Sequence, residues 1–463
     1  MRRFAGAPVS FTLTVVIVAG FRAENAAKSK RLAVRAGIRT RRSHMRCLVF
    51  VDDRRCSALT PCSLNYALFR RTDIVPILLR PIGGDAFGPE YLEATQHLHR
   101  FYVDLTADLT SETNRFRTWC AERKFEPDTF CCMTESLQEY WQAFARQIGV
   151  GRIPADVVRA LRHKPTMKEW IRRAGLATAE YAEVSVTDDV LHFARRHGYP
   201  IVLKPVDGAG AEDTFVLHCT TDVLAHAQIL SSKPMMVETF IADREYECSA
   251  LIARGEVLDV YPSVMPASML EAANGAMNAD ISVGGQLHWI PVNDLRSVIQ
   301  RLVSGFRLTE GYLHLELFAP SDGSRLHISE LALRYPGCEV AKNHGLALGF
   351  DIARATIDTY LGLIPELRYT RNRCVGDLML PYKPGRIRRL STPDSLRAIP
   401  GVIEVHLGVS KGDVLPEVAK ASDVSSGWVL IEGADPHEVE QRMQQILDQY
   451  MIETEPARVA AFA

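Results

Sequence analysis

The stretch from Gly311 to Val340, GYLHLELFAPSDGSRLHISELALRYPGCEV, constrains the fold of this chain more than any other. Two runs of alternating apolar and polar residues, Tyr312–Phe318 and Leu326–Arg334, flank Pro320-Ser321-Asp322-Gly323-Ser324, a cluster of turn formers. Alternation at period 2 on both sides of such a cluster is the pattern of a β-hairpin. His314 and Glu316 then share one face of the first strand, and Glu330, Ala332 and Arg334 share one face of the second, with leucines behind both. A three-residue loop centred on Gly323 pairs Ser321 with Arg325 and sets Glu316 directly opposite Glu330. Opposed Cβ atoms stand about 4.5–5.5 Å apart, so two carboxylates there repel unless a proton or a cation lies between them.

Carboxylate oxygens without a Cys or His ligand cluster suit a hard cation such as Mg²⁺ bridging phosphates. The plainer reading is a pair of solvated acids on an open sheet face, so the decision rests on the rest of the chain.

At 463 residues, 47% hydrophobic and 24% charged, the chain can bury two or three full cores. A net charge of −1 leaves no basic footprint for nucleic acid. The 10 cysteines, Cys131 and Cys132 adjacent among them, have no C-x-x-C or zinc-site spacing and read as reduced thiols of a cytoplasmic protein. Residues 1–44 are strongly basic, with Glu24 their one acid, and their apolar run around Val15–Ala19 is too short to span a bilayer. Met45 is followed at once by the strand Cys47–Val51, so residues 1–44 are expected to be an unfolded extension, with a targeting peptide as the alternative.

From 45 to 151, short β runs alternate with helical segments: Cys47–Val51, a helix around Ser63–Arg70, Ile74–Leu79, Arg100–Asp104 and a helix over Ser111–Arg123. That rhythm predicts a small parallel sheet. Val51-Asp52-Asp53-Arg54-Arg55 carries no dinucleotide fingerprint, and Phe130–Glu135 ends a later strand at a possible cleft.

Ala155–Ala174 reads as one helix, with Lys164 and Lys168 a turn apart on one face. Gly198–Pro205 is a strand ending in Lys204, followed by Gly208-Ala209-Gly210 and Thr214 before a second strand, Phe215–His218. Glycines there allow a tight turn and offer N–H groups to an anion. It is not the Walker pattern, which must open a helix. Met235–Ile241 is a strand whose end, Glu238 with Phe240 and Ile241, has the polar and apolar character of an adenine slot, and Glu245–Ala253 returns from it. Beyond Cys374 the chain turns β-rich and closes with a helix over Pro436–Tyr450.

Helix lysine, strand-end lysine, glycine loop, strand-end glutamate, then two facing glutamates and an arginine: in this order, over about 162–363, the chain resembles the ATP-grasp superfamily. The flanking regions are similar to those of ATP-dependent carboxylate–amine ligases. Glu330-Leu331-Ala332-Leu333-Arg334-Tyr335-Pro336-Gly337 resembles the E-x-A-x-R-x-x-G segment of L-amino-acid ligases that make dipeptides. Many ATP-grasp enzymes place an Asn metal ligand where this chain has Ala332, and alanine is the residue expected in the amino-acid-ligase branch.

The resemblance implies a mixed α/β and α+β fold: a preATP-grasp α/β domain over 45–151, an ATP-grasp domain over 152–365 (ATP subdomain 184–260, catalytic part 261–365) and a β-rich C-terminal domain over 366–463. It implies that Lys164 and Lys204 hold ATP phosphates beneath the loop Gly208, Ala209, Gly210 to Thr214. Glu238 would meet the adenine amino group, Phe240 and Ile241 would wall it, and Glu245 would sit near the ribose. Glu316 and Glu330 would bind two Mg²⁺ ions, or Mn²⁺ in their place. Arg334, with Lys204, would be catalytic, neutralising an acyl phosphate. His288, Gly337 and Cys338 are candidates for the substrate pocket, the small Cys338 leaving room for a bulky amino acid.

The residue types suit such chemistry in their own right. A carboxylate must be phosphorylated before an amine can displace its oxygen, and lysines, Mg²⁺ and an arginine achieve this by positioning and charge, without a nucleophilic Ser or Cys. The expected partners are small molecules, with no nucleic acid and no membrane, and a homodimer is an open possibility. The alternatives are a ligase for a non-amino-acid carboxylate and a catalytically silent ATP-binding protein. The retained pair Glu316 and Glu330 speaks against silence, because binding ATP alone does not require both acids.

Overall fold

The computed structural model describes residues 45–51, 71–84, 89–135, 137–418, 421–422 and 424–456. The extension expected over 1–44 and the helix expected around Ser63–Arg70 lie outside the described residues.

Strands β1 (Arg46–Val51), β2 (Ile74–Pro81), β3 (His99–Val103) and β4 (Thr129–Cys131) form a parallel sheet in the order β3-β2-β1-β4. A parallel sheet needs cover on both faces. Helices α1 (Leu109–Arg123) and α2 (Gln138–Gln147) supply one side, packing Phe116, Cys120, Trp141 and Phe144 on Val49, Ile77 and Phe101. Leu48 and Phe50 point the other way, into the next domain.

Two helices replace the single one expected over Ala155–Ala174: α3 (Ala155–Arg162) and α4 (Lys164–Arg173), meeting at His163. Pro165 is the cause. Mid-helix it would remove a hydrogen bond and clash with the preceding turn, whereas in the first turn of α4 its missing N–H is not needed. The break puts Lys164 at a helix start, where its N–H donates to the Val206 carbonyl at 2.8 Å and ties it to the strand that carries Lys204.

Strands β5 (Tyr181–Val184), β6 (Ile201–Pro205), β7 (Phe215–Leu217) and β8 (Met235–Thr239) make a small antiparallel sheet in the order β5-β8-β6-β7. Helix α5 (Thr187–His197) packs Val190 and Phe193 on Ile201, Leu203, Met235 and Val237. Because side chains alternate along a strand, Lys204 and Glu238 emerge on the opposite face.

The central sheet has eight antiparallel strands. In chain order its elements are β9 (Arg244–Ala253), β10 (Glu256–Val264), β11 (Ala279–Ser282), α6 (Leu295–Gly305), β12 (Glu310–Ala319), β13 (His327–Ala332), α7 (Val340–Leu348), α8 (Ile352–Tyr360) and β14 (Cys374–Leu380). The tail adds β15 (Gly385–Leu390), β16 (Val402–Leu407), β17 (Val414–Leu415), β18 (Gly427–Gly433), α9 (Pro436–Gln449) and β19 (Ile452–Glu455). The order β13-β12-β9-β10-β11-β14-β18-β16 carries the tail into the same sheet, so a boundary at 365 falls inside a continuous core; β17, β15 and β19 form a separate three-stranded sheet.

One face of the central sheet is apolar, with Cys248, Ala250, Ile252, Leu313, Leu315 and Leu317 in one core with Met167 and Ile171 of α4 and Ile299, Leu302 and Phe306 from α6 and its end. The other face changes character along the strands. Leu251, Tyr261 and Tyr312 are buried with α8, Leu48 and Phe50, but further along the same strands stand Glu247, Ser263 and Glu316. The apolar cover stops where the carboxylates begin.

Candidate active site

Glu316 and Glu330 face each other across the β12–β13 ladder, as the hairpin pattern predicted. The route to that register differs from the three-residue loop. The next pairs are Leu317 with Ile328 and Phe318 with His327, so Ser329 is an extra residue in a bulge and the ladder ends well short of Ser321. Arg325, expected to pair with Ser321, instead binds Asp243 through two hydrogen bonds of 2.8 Å. Arg334 lies beyond the end of β13 rather than on it.

On its other side β12 pairs with β9, which places Glu247 opposite Glu316. The carboxylates thus run across three strands, Glu330, Glu316 and Glu247. Glu247 was legible as the alternate of Glu245 in Glu245-Tyr246-Glu247 but was not singled out. Ala332 faces His314 across the ladder, and His314 Nε2 lies 3.5 Å from Glu316 Oε1. One ligand atom each from Glu247, His314 and Glu316 falls within 4.8 Å of the others, and Glu247 Oε2 is buried without a hydrogen bond. Acidic oxygens with an unmet buried acceptor beside Glu316 fit a hard divalent cation, while Glu330 faces Glu316 across the ladder without being part of this tight cluster.

The lysines converge on these acids from above. Lys164 Nζ lies 3.2 Å from Glu330 Oε1 and donates to the Gly208 carbonyl, joining helix, metal acid and glycine loop. Lys204 Nζ sits 2.6 Å from Glu238 Oε1, and Lys168 Nζ 2.8 Å from Glu238 Oε2. Lys168 is 1% exposed and also donates to Thr178 Oγ1 at 3.0 Å. Burial alone would raise the Glu238 pKa, yet Lys168 and Lys204 overcome it and hold the carboxyl at about 2. For Lys204, burial acts downward, but Glu238, Glu330 and Glu316 together lift its pKa above the ordinary value. For Lys168 burial wins and its pKa is lowered. Burial opposes ionisation of Glu316, and His314, Lys204 and Lys164 outweigh it, leaving its pKa depressed. Glu245 goes the other way: burial and the Glu316 charge push it to about 8, although it accepts the Met269 N–H at 3.0 Å.

A cavity of about 910 Å³ lies between the small sheet and this charged end. Lys164, Lys204, Gly208, Ala209, Gly210, Thr214, Glu238, Phe240, Ile241, Glu245, Glu316, Glu330 and Arg334 all line it, so the sequence-predicted nucleotide, metal and arginine positions come together in one place. Glu238, expected to meet the adenine amino group, has its carboxylate committed to two lysines, whereas Phe240, 40% exposed, and Ile241 at the strand end line the cavity. His288 is not brought to this cavity. It sits exposed on a 3-10 turn, its ring 5.3 Å from that of Trp289. Gly337 and Cys338 also lie outside the lining, and both are open to solvent.

Arg334 is held by a contact that sequence reading missed. Its guanidinium pairs with Glu135, from the loop after β4, and Glu135 also pairs with Arg162 at the end of α3. Burial lowers the Arg334 pKa and Glu330, Glu316 and Glu247 counter it. A loop of the N-terminal domain therefore holds the arginine that lines the cavity. The glycine loop is anchored from the tail, where the Ser422 N–H donates to the Gly210 carbonyl at 3.0 Å.

With that geometry in place, comparison with known proteins is specific. An ATP-grasp domain matches residues 169–336, and L-amino acid ligase C-terminal domain 2 matches residues 378–455. The L-arginine-specific L-amino acid ligase of Bacillus subtilis is 25% identical over 273 residues, 56% of this chain and 64% of that protein. The chain thus spans a little under two thirds of this relative. An L-amino acid ligase structure from Bacillus licheniformis superposes with a TM-score of 0.70 at 16% identity, covering 89% of this chain and 99% of that one. N5-carboxyaminoimidazole ribonucleotide synthetase from Thermotoga maritima follows with a TM-score of 0.61 at 14% identity, covering 89% and 100%. At these identities the structural likenesses establish the shared fold. No helix among the described residues is long and apolar enough to cross a membrane.

Proposed function

We propose that this chain, which carries an ATP-grasp domain and an L-amino-acid-ligase C-terminal domain, is an ATP-dependent ligase that activates an amino-acid carboxylate as an acyl phosphate and joins it to an amine, a second amino acid, releasing ADP and phosphate. The observation that carries this is the convergence of Lys164, Lys204, Glu316, Glu330 and Arg334 on one cavity wall.

Each residue has a task that its surroundings support. Lys164 and Lys204 neutralise the phosphate oxygens of ATP, and their ties to Glu330 and Glu238 aim them before the nucleotide arrives. Glu316 and Glu330 would hold Mg²⁺, which supplies charge neutralisation at the transferring phosphoryl group. The loop Gly208–Thr214 covers the phosphates and keeps water from the activated carboxyl. Phe240 and Ile241 wall the base. Arg334 binds the substrate carboxylate and stabilises the oxyanion that forms when the amine attacks, and Glu135 fixes its plane. No Ser or Cys nucleophile is needed, since ATP supplies the leaving group.

Incubation with Mg²⁺-ATP and pooled amino acids tests the reading. Equimolar ADP, phosphate and a condensed product by mass are expected. AMP with pyrophosphate would overturn the mechanism, and nucleotide binding without turnover on any amine would favour a silent binding protein.

A further inference from the structure

The acids on the polar side of the cleft are not equally provided for. Glu330 has Lys164, and Glu238 has Lys168 and Lys204. Among the described residues no lysine or arginine pairs with Glu247, which is 6% exposed and keeps Oε2 without a hydrogen bond. A buried carboxyl left in that state must be neutralised by a proton or by something that binds.

Its neighbours point to what binds. The β9–β12 ladder sets Glu247 opposite Glu316 and Ser249 opposite His314. Because side chains alternate along a strand, these four stand at the corners of one patch on a single face of the sheet. His314 is 4% exposed, its Nδ1 has no hydrogen-bond partner, and its Nε2 makes a long contact of 3.5 Å with Glu316 Oε1. Ser249 is buried, and its Oγ is likewise without a partner. One ligand atom each from Glu247, His314 and Glu316 lies within 4.8 Å of the others. Ligands on opposite sides of an ion with bonds of about 2.1 Å stand about 4.2 Å apart, so small side-chain shifts close the three onto a metal. Asp280 and Asp377, opposed on β11 and β14 further across the sheet, are buried too but stand outside this cluster.

The donor set separates this place from the one suited to nucleotide-borne Mg²⁺. Mg²⁺ keeps several waters and is held by one or two carboxylates together with substrate phosphates, which is what Glu316 and Glu330 offer on the cavity wall. Glu247 and His314 are not part of that wall, whereas Glu316 belongs both to it and to the cluster and so connects the two. Three protein ligands, one of them an imidazole, suit a first-row transition metal better than Mg²⁺.

We propose that Glu247, His314 and Glu316 bind a divalent transition-metal ion in the absence of nucleotide, sharing Glu316 with the Mg²⁺ that comes with ATP. Held by protein ligands alone, this ion needs no phosphate to stay bound, and it offsets the repulsion of Glu316 with Glu247 and Glu330. The site itself does not rest on the ligase reading; only the sharing of Glu316 does.

The test is Mn²⁺ alone, titrated into the full chain without nucleotide and followed by electron paramagnetic resonance. Mn²⁺ has the lowest affinity of the first-row divalent ions for a given set of ligands, so its binding sets a floor for the class. One bound ion per chain is expected, with the pulsed-resonance modulation of a directly bound ¹⁴N, and a large excess of Mg²⁺ should not displace it. His314→Gln should remove the ¹⁴N modulation. Glu247→Gln should weaken binding by at least the roughly 100-fold that loss of an outer-shell partner can cost, and Glu330→Gln should leave both affinity and modulation in place. Mn²⁺ bound without ¹⁴N, or no bound Mn²⁺, would overturn the proposal on the unaltered protein, whatever the variants do. Equal losses in Glu330→Gln and Glu247→Gln would also overturn it, because the ion would then belong to the nucleotide pair. An ion bound as described by a chain that forms no ADP with any amino acid would keep this site and remove the ligase reading. ADP and a condensed product from a chain that binds no Mn²⁺ without nucleotide would do the reverse.

Discussion

Glu316 and Glu330 stand directly opposite each other across the β12–β13 ladder, one step before a bulge at Ser329 shifts the pairing to Leu317 with Ile328. A bulge at the rim of a site re-aims side chains, and Lys164 Nζ, 3.2 Å from Glu330 Oε1, offsets the repulsion between the two like charges. Glu330→Gln removes one of the two acids without changing shape. Turnover should fall by about 10²-fold or more while the circular dichroism spectrum is unchanged. An unimpaired variant would move the metal away from this pair.

The Lys168–Glu238–Lys204 triad is buried, so its parts are not equally dispensable. Glu238→Gln strands two lysines in the interior and should lower unfolding stability by about 3–5 kcal/mol in urea titration. Lys168→Met leaves Glu238 still paired with Lys204 and should be the milder change. The opposite ranking would show that Lys204 alone cannot hold the carboxylate.

Much of this was readable in the sequence, and what was not has physical reasons. Period-2 alternation set Glu316 opposite Glu330, and the order of Lys164, Lys204, Glu238 and Arg334 carried the family resemblance that assigned them to one site, where all four line one cavity. The break at His163 was missed because the helical pattern continues through Lys164-Pro165 and only the position of proline within the turn decides. Glu135 was beyond reach because its partner Arg334 is 199 residues away and no local pattern links them. His288 was misplaced because an exposed imidazole beside Trp289 has the same sequence appearance as a pocket residue. Asp280 and Asp377 were not singled out, since their meeting depends on the tail joining the central sheet.

Stability of the free protein should depend on pH in a definite direction. Burial raises Asp377 to about 6, Glu339 to about 7 and Glu245 to about 8. An acid whose folded pKa is raised contributes stability that is full below its unfolded pKa and is lost as pH climbs through the folded value. The melting temperature of nucleotide-free protein should therefore fall between about pH 5 and pH 8.5. Glu245→Gln should remove the upper part of that fall. A melting temperature rising across the window, or a fall unchanged in the variant, would contradict the assignment.

Gly210 takes a left-handed backbone, φ +63, in the loop over the cavity. Gly210→Val strains it by about 1–2 kcal/mol, enough to raise the KM for ATP by about tenfold. Global unfolding should change little, because the loop lies outside the cores. Unaltered KM would mean that the loop does not close over the phosphates.

Transfer of oxygen from the substrate carboxylate to phosphate tests the acyl phosphate most directly. With an amino acid labelled with ¹⁸O in its carboxyl group, in the presence of Mg²⁺-ATP and an amine acceptor, the released inorganic phosphate should carry one ¹⁸O per product formed, because the bond broken when the amine attacks is the one between the acyl carbon and that oxygen. Unlabelled phosphate, or label appearing in AMP, would contradict the activation of the carboxylate at Lys204, Glu316, Glu330 and Arg334.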